Sequence, residues 1–320
     1  MTIAYAPYCS SDGWAGSIAA APPTHFAFRG HDIVTAIFSD LAARQGLGAA
    51  PGTRVLYGGC SAGARGALFN LDRVALQLLP ALVPAGNLKR VGGLLDSAFW
   101  VDLVPLDPTV TSFKDQAKDV VALANATSSD ASACSRAYPG ETWKCSKYPA
   151  RRDPFPFPPS FPPAHSPARL LFSPTPLPPP PPPPHPAPAV FGQYAVPFVR
   201  ADFFLHAYQY DLFQLSSDTK VPVPDKTPQQ LAYCESFRNL TRASFFQDVV
   251  VQNGPGKNAA LLPACYKHCN TEGSTFSTLA TNGVTLEAAV AAWFFSEGTA
   301  QQYVQEDCKG FNCGTDCPSV

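Results

Sequence analysis

Apolar residues at Ile33, Ile37 and Leu41 fall on one helical face and predict a helix over residues 32–44. Residues 53–57 read as a short strand, 58–63 as a tight turn, and 64–79 as a second helix that Pro80 stops. The alternation continues with a strand at 91–95, a helix at 110–124, an aromatic-rich strand at 203–210, a strand at 259–265 and a helix at 285–295. Ahead of Leu231, Phe237 and Leu240, Thr227-Pro228-Gln229-Gln230 has the form of a capping box with proline at the first helical position. Strand–helix alternation predicts an α/β fold, a mostly parallel sheet with helices on both faces, in a single domain spanning residues 1–320.

One segment breaks this pattern. Residues 149–188 hold 19 of the 35 prolines, including the unbroken run Pro178 to Pro184. Proline has no N–H for a helix or a sheet ladder, so residues 149–190 are expected to be a proline-rich, disordered insert on the surface. Elsewhere no apolar run approaches the ~18 residues of a membrane span. The first residues also lack the basic and apolar regions of a signal peptide.

Composition narrows the function. With 23 Lys+Arg against 24 Asp+Glu, the chain lacks the cationic excess of a nucleic-acid binder. Ten cysteines, an even count, suggest disulfides and an oxidising compartment. Acceptor sequons at Asn125 and Asn239 fit the same compartment, and a secreted monomer is expected. The spacings Cys265-x3-Cys269 and Cys308-x4-Cys313-x3-Cys317 do not match the paired knuckles of structural zinc sites. The polar tail carrying Cys308, Cys313 and Cys317 has little to bury, so disulfides back to the body are its expected anchor.

The chemistry lies in Gly59-Cys60-Ser61-Ala62-Gly63, a G-x-S-x-G string. The string alone is modest, but it follows a predicted strand and opens a predicted helix, as a nucleophile elbow requires. A sharp turn there leaves little room beside Ser61, which accounts for the two glycines. It also sets the Ala62 N–H at a helix N-terminus, where a developing oxyanion is favoured. Cys60 is expected to point away from substrate and to be buried. A serine nucleophile needs a base and an orienting acid, in the chain order Ser, Asp/Glu, His. His25 and His31 precede Ser61, and His165 and His185 lie in the proline tract. His206 sits in an aromatic strand and reads as packed, whereas His268 follows the last predicted strand, where the base belongs. Candidate acids between Ser61 and His268 include Asp96, Asp102, Asp202, Asp211 and Asp218, and Asp211, closing the strand at 203–210, is the best placed.

Five stretches then resemble the pectin acetylesterase and Notum carboxylesterase family, of α/β-hydrolase fold. They are Tyr8-Cys9-Ser10-Ser11-Asp12-Gly13-Trp14-Ala15-Gly16, Gly59–Gly63 with Asn70-Leu71-Asp72-Arg73-Val74, Asp96-Ser97-Ala98-Phe99-Trp100, Tyr210-Asp211-Leu212-Phe213-Gln214, and Pro263-Ala264-Cys265-Tyr266-Lys267-His268-Cys269. The resemblance implies Ser61 as nucleophile, Asp211 as acid and His268 as base, the same three residues. It implies removal of O-acyl groups, acetyl being the expected one, from an extracellular polysaccharide such as pectin, with no cofactor. A Notum-type palmitoleoyl-protein carboxylesterase is the alternative within the chemistry. An inactive binding relative is the alternative outside it. The family's glycine- and tryptophan-rich loop, which resembles a supplier of oxyanion-hole N–H groups, precedes the Tyr8-Cys9 stretch. The resemblance therefore implies a sequence shortened at its N-terminus, with the first strands and the second oxyanion donor absent.

Overall fold

The structure, a computed structural model, describes residues 2–18, 26–124, 133–144, 192–218, 220, 227–246, 258–295 and 303–319. The expected insert at 149–190 lies outside the described residues.

Helix α1 (Gly30–Arg44) precedes strand β1 (Thr53–Cys60), and α2 (Ala62–Arg73) follows after a single residue, Ser61. A wide turn (Val74–Leu78) leads into α3 (Leu79–Leu82). Pro80 does not stop the helix. The Leu79 N–H reaches back to the Val74 carbonyl, and this wider winding accommodates a residue with no N–H to donate. Strand β2 (Leu88–Asp96), α4 (Phe113–Ala124), α5 (Ala133–Ala137) and α6 (Gly192–Ala195) come next. They are followed by β3 (Phe203–His206), β4 (Tyr210–Asp211) and α7 (Pro228–Phe245). The chain closes with β5 (Ala259–Leu262), β6 (Tyr266–Lys267), α8 (Thr275–Thr278), the hairpin β7 (Ala280–Thr281) and β8 (Val284–Thr285), α9 (Leu286–Phe295) and β9 (Tyr303–Gln305). The capping box at Thr227 forms as the sequence predicts, its side chain accepting the Gln230 N–H and the Gln230 side chain accepting the Thr227 N–H.

Among the described residues five strands make the central sheet in the order β1-β2-β3-β5-β9, every pairing parallel. Alternation along the strands sorts side chains to two faces. Leu95, Phe203, Leu205, Ala260 and Leu262 pack with Leu68 and Leu71 of α2 and with Phe237 and Phe245 of α7. Leu94, Phe204, Ala259 and Leu261 pack with Leu286, Val290, Trp293 and Phe294 of α9. Helices therefore cover both faces, as the sequence pattern predicts, and the parallel strands align their C-terminal ends along one edge.

Two predicted strands are shorter than expected, for one reason. Pro263 has no N–H, so β5 ends at Leu262 rather than running to Cys265, while its carbonyl accepts the Gln209 N–H. The stretch 203–210 breaks after His206, and the chain then re-pairs with a different partner, β4 with β6. No helix among the described residues is long and apolar enough to cross a membrane.

Candidate active site

Strand β1 runs straight into α2 through Ser61, whose φ of 53° and ψ of −116° lie outside the ordinary regions for a residue with a side chain. The turn is fixed from both sides. The Ser61 N–H donates to the Asp96 carbonyl at 2.9 Å, extending the β1–β2 ladder, and its carbonyl accepts the Arg65 N–H at 2.9 Å. A Cβ on Gly59 would lie 2.8 Å from the Gly63 carbonyl carbon, so Gly59 is required by space. Gly63 is not, since a Cβ there would meet nothing within 4 Å. Of the two glycines predicted to be there for room, only the first is. Ala62 opens α2, so its N–H has no carbonyl one turn back to receive it.

The second part is a two-residue parallel ladder. Pairing of Tyr210 with Tyr266 and Asp211 with Lys267 sets His268 one residue beyond Asp211's partner. The His268 Nδ1 meets Asp211 Oδ2 at 2.7 Å, and Asp211 Oδ1 accepts the Gln214 N–H at 2.9 Å. Asp211 is buried, and the Phe213 ring stacks on the imidazole at 5.3 Å between centroids. Burial pulls the His268 pKa down, and the Arg65 charge does so weakly. The Asp211 charge and hydrogen bond, with Asp96 behind, outweigh both, so the net shift is upward. Among the described residues the buried His268 Nε2 has no hydrogen-bond partner.

A disulfide between Cys60 and Cys269, with Cα atoms 5.6 Å apart, joins the two parts. It links the residue before Ser61 to the residue after His268. Cys60 is buried as expected, and its sulfur is committed to this bond. Cys269 takes a left-handed φ of 63°.

The other acids and histidines are engaged elsewhere or undescribed. Asp96 and His206 are fully buried and paired at 2.7 Å. Asp102 accepts the Tyr194 hydroxyl at 3.0 Å, and Asp202 faces Arg90 at 3.5 Å. The Asp218 side chain, His25, His165 and His185 lie outside what is described. His31 contacts Asn70, and burial together with the Arg73 charge holds its pKa down at about 4. His206 is packed as expected, yet only half satisfied: its Nε2 has no hydrogen-bond partner among the described residues.

Among the described residues two clusters bring cysteines beside a histidine or an acid: Cys60, Cys269 and His268, and Cys265, Cys317 and Glu306. In each the two sulfurs are bonded to one another, so neither offers a thiolate to a metal. The tail is tied to the body by Cys265–Cys317 as predicted, while Cys308–Cys313 closes a local loop within it. Among the described residues Cys9 and Cys234 form no disulfide.

The Tyr8–Gly16 stretch also reaches the site. The fully buried Asp12 carboxylate accepts the N–H groups of Trp14, Gly16 and Gly30, folding this loop over the start of α1. Tyr8 and Trp14 then line a cavity of about 610 Å³ that runs beside β1 to Ser61 and Ala62. Val34, Ile37, Phe38 and Leu41 of α1 supply its apolar wall.

A serine held at a strand-to-helix turn, a buried Asp–His pair and a parallel sheet with helices on both faces define the α/β-hydrolase class of architecture. The pectinacetylesterase family pattern matches residues 3–151 and 183–318, and the chain belongs to that family. Human palmitoleoyl-protein carboxylesterase NOTUM is 38% identical over 100 residues, 31% of this chain and only 19% of the human protein's length. Pectin acetylesterase 11 of Arabidopsis thaliana is 24% identical over 98% of this chain and 68% of its own. The crystal structure of the Wnt deacylase Notum from Drosophila superposes with a TM-score of 0.71 at 22% identity, over 98% of this chain and 73% of that one.

The Cys60–Cys269 pairing and the stacking of Phe213 on the imidazole are not among the features expected from the sequence. A signal for the first was present: one cysteine directly flanks each of the proposed nucleophile and base.

Proposed function

We propose that the protein is a serine carboxylesterase that removes O-acyl groups, acetyl foremost, from an extracellular polysaccharide such as pectin. The observation that carries this reading is the Asp211–His268 pair, stapled beside the strained Ser61 by the Cys60–Cys269 bond. In the reaction the Ser61 hydroxyl attacks the ester carbonyl and its proton passes to His268 Nε2. Asp211 holds the Nδ1–H, fixing the tautomer that leaves Nε2 free to accept. The oxyanion forms at the N-terminus of α2, where the Ala62 N–H and the helix dipole favour it. Collapse expels the alcohol, protonated by His268, and leaves an acyl-serine. Water, deprotonated by the same imidazole, releases the acid and restores Ser61. Every step uses side chains and water, so no metal or organic cofactor enters. The disulfides and the exposed Asn239 of a sequon support an extracellular setting. The family pattern and the near-complete span of the plant relative favour the polysaccharide substrate.

One observation favours a second reading, a long-chain deacylase of the Notum kind. The cavity that borders Ser61, apolar along α1, has room for more than an acetyl group, although His268 and Asp211 are not among its lining residues. A series of p-nitrophenyl esters from acetate to octanoate decides between them. The polysaccharide acetylesterase requires kcat/KM to fall with chain length. A cavity that takes the chain gives a steep rise instead, since each buried methylene contributes about 0.8 kcal/mol. No hydrolysis of any ester in the series would overturn both readings.

A further inference from the structure

We propose that Asp96 is a positioning residue that sets His268 against Ser61, a role that rests on the catalytic reading of those two residues. Asp96 ends β2, and its backbone carbonyl already holds the Ser61 N–H at 2.9 Å. Its side chain holds the chain beyond the imidazole. Oδ2 accepts the Asn270 N–H at 2.7 Å, the Thr271 N–H at 2.7 Å and the Thr271 hydroxyl at 2.8 Å. The Cys269 N–H donates to Ser97 Oγ at 3.0 Å, and that hydroxyl donates to Asp96 Oδ1 at 3.2 Å. Three consecutive N–H groups after His268 are thus gathered on Asp96 and its neighbour. Successive N–H groups turned inward make a concavity that takes an anion, and here the anion is a side chain of the sheet.

His206 completes the arrangement. Its Nδ1 occupies Asp96 Oδ1 at 2.7 Å, leaving Oδ2 turned to the 270–271 loop. His268 is therefore clamped from two directions. The β4–β6 ladder and Asp211 fix the side toward β6, and Asp96 fixes the side toward Thr271. A buried carboxylate at the end of a core strand, where packing alone would favour an apolar residue, is explained by this task.

The test is steady-state kinetics on a small activated ester with Asp96→Ala, Asp96→Asn and, as a control on the underlying reading, Ser61→Ala. An asparagine can keep its oxygen toward the three loop donors and turn its amide to His206, so it retains the geometry without the charge. The expected result is a kcat at least about 30-fold lower for Asp96→Ala with KM within about twofold, and most of the kcat retained by Asp96→Asn. The groups facing His268 are Asp211, Asp96 and Arg65, and those facing Asp96 include His206 and Lys267. Removing the Asp96 charge in Asp96→Asn should therefore also move the acid limb of the pH–rate profile to lower pH, which loss of packing alone would not do. A folded Asp96→Ala with kcat within twofold of wild type overturns the proposal. So do equal losses in both variants with an unmoved acid limb. If Asp96→Ala fails to fold, Ser97→Ala combined with Thr271→Val removes two side-chain contacts to the same loop. A kcat about tenfold lower at unchanged KM then supports the proposal, and wild-type kcat overturns it. If Ser61→Ala keeps its activity, the catalytic reading itself has failed, an outcome distinct from any of these.

Discussion

His268 is the residue whose surroundings predict the most. A base must be neutral to take a proton, so with His268 as the proposed base activity is expected to rise as pH rises through its pKa. Burial lowers that pKa, but Asp211, then Asp96, raise it to a net value above the ordinary ~6.5. The acid limb of kcat/KM is therefore expected on the alkaline side of about 6.5. Asp211→Asn should move this limb to lower pH while reducing kcat by up to about 10⁴-fold, because the tautomer is no longer fixed. A limb that stays put in Asp211→Asn would detach Asp211 from the titrating group. The same shifts act on stability with opposite signs. A His268 pKa raised by folding contributes stability that is full below about 6.5 and lost as pH rises through the folded value. Asp96 is the reverse case. Burial raises its pKa, but the facing His206 and the loop donors hold it well below the carboxylate range. It contributes stability above about pH 4 that is lost as pH falls. Melting temperature against pH should therefore drop in acid, and the drop should be shallower in Asp96→Asn.

Among the elements, the elbow is the one most legible in the sequence, because its requirements are local. A strand, a serine at a left-handed φ, a glycine that cannot carry a Cβ and a helix all lie within a few residues of one another. The capping box at Thr227 is legible for the same reason. Thr227→Ala should cost about 1 kcal/mol of stability, read from denaturant unfolding, with kcat unchanged. What the sequence hides is pairing between distant segments. The break after His206 depends on Pro263, and the β4–β6 ladder joins residues 56 positions apart. The Cys60–Cys269 bond spans 209 positions. Ten cysteines allow too many connectivities for spacing to choose among them. Replacing both Cys60 and Cys269 with alanine should lower the melting temperature, since a native disulfide typically contributes about 2–4 kcal/mol. It should also lower kcat by roughly 10–100-fold, since an ångström of misplacement suffices for such a loss. A double variant that melts lower but keeps its kcat would reduce the bond to a structural staple.

Across the whole molecule, the alternation of strand and helix predicts the layers correctly, but not the order of strands or the short β9 at the far edge. A three-residue strand leaves almost no periodic signal. The proline tract is the other large-scale feature. The family pattern passes over residues 152–182, most of that tract. The chain on either side meets at a shared cluster, with Lys144 Nζ 4.5 Å from the centre of the Tyr194 ring and the Trp143 and Tyr194 rings 5.7 Å apart. A short Gly/Ser linker in place of residues 149–188 should therefore leave kcat/KM and melting temperature nearly unchanged, because loop-closure entropy varies slowly with length. Loss of folding in the shortened protein would show that the tract belongs to the domain.

In the proposed reaction Ser61 carries the acyl group. The most direct test is covalent: treat the protein with a fluorophosphonate, digest it and locate the adduct by mass spectrometry. A single phosphonylated site is expected, on Ser61, lost in Ser61→Ala and formed far more slowly in His268→Ala. An adduct elsewhere that blocks turnover while Ser61 stays unlabelled would remove Ser61 as the nucleophile.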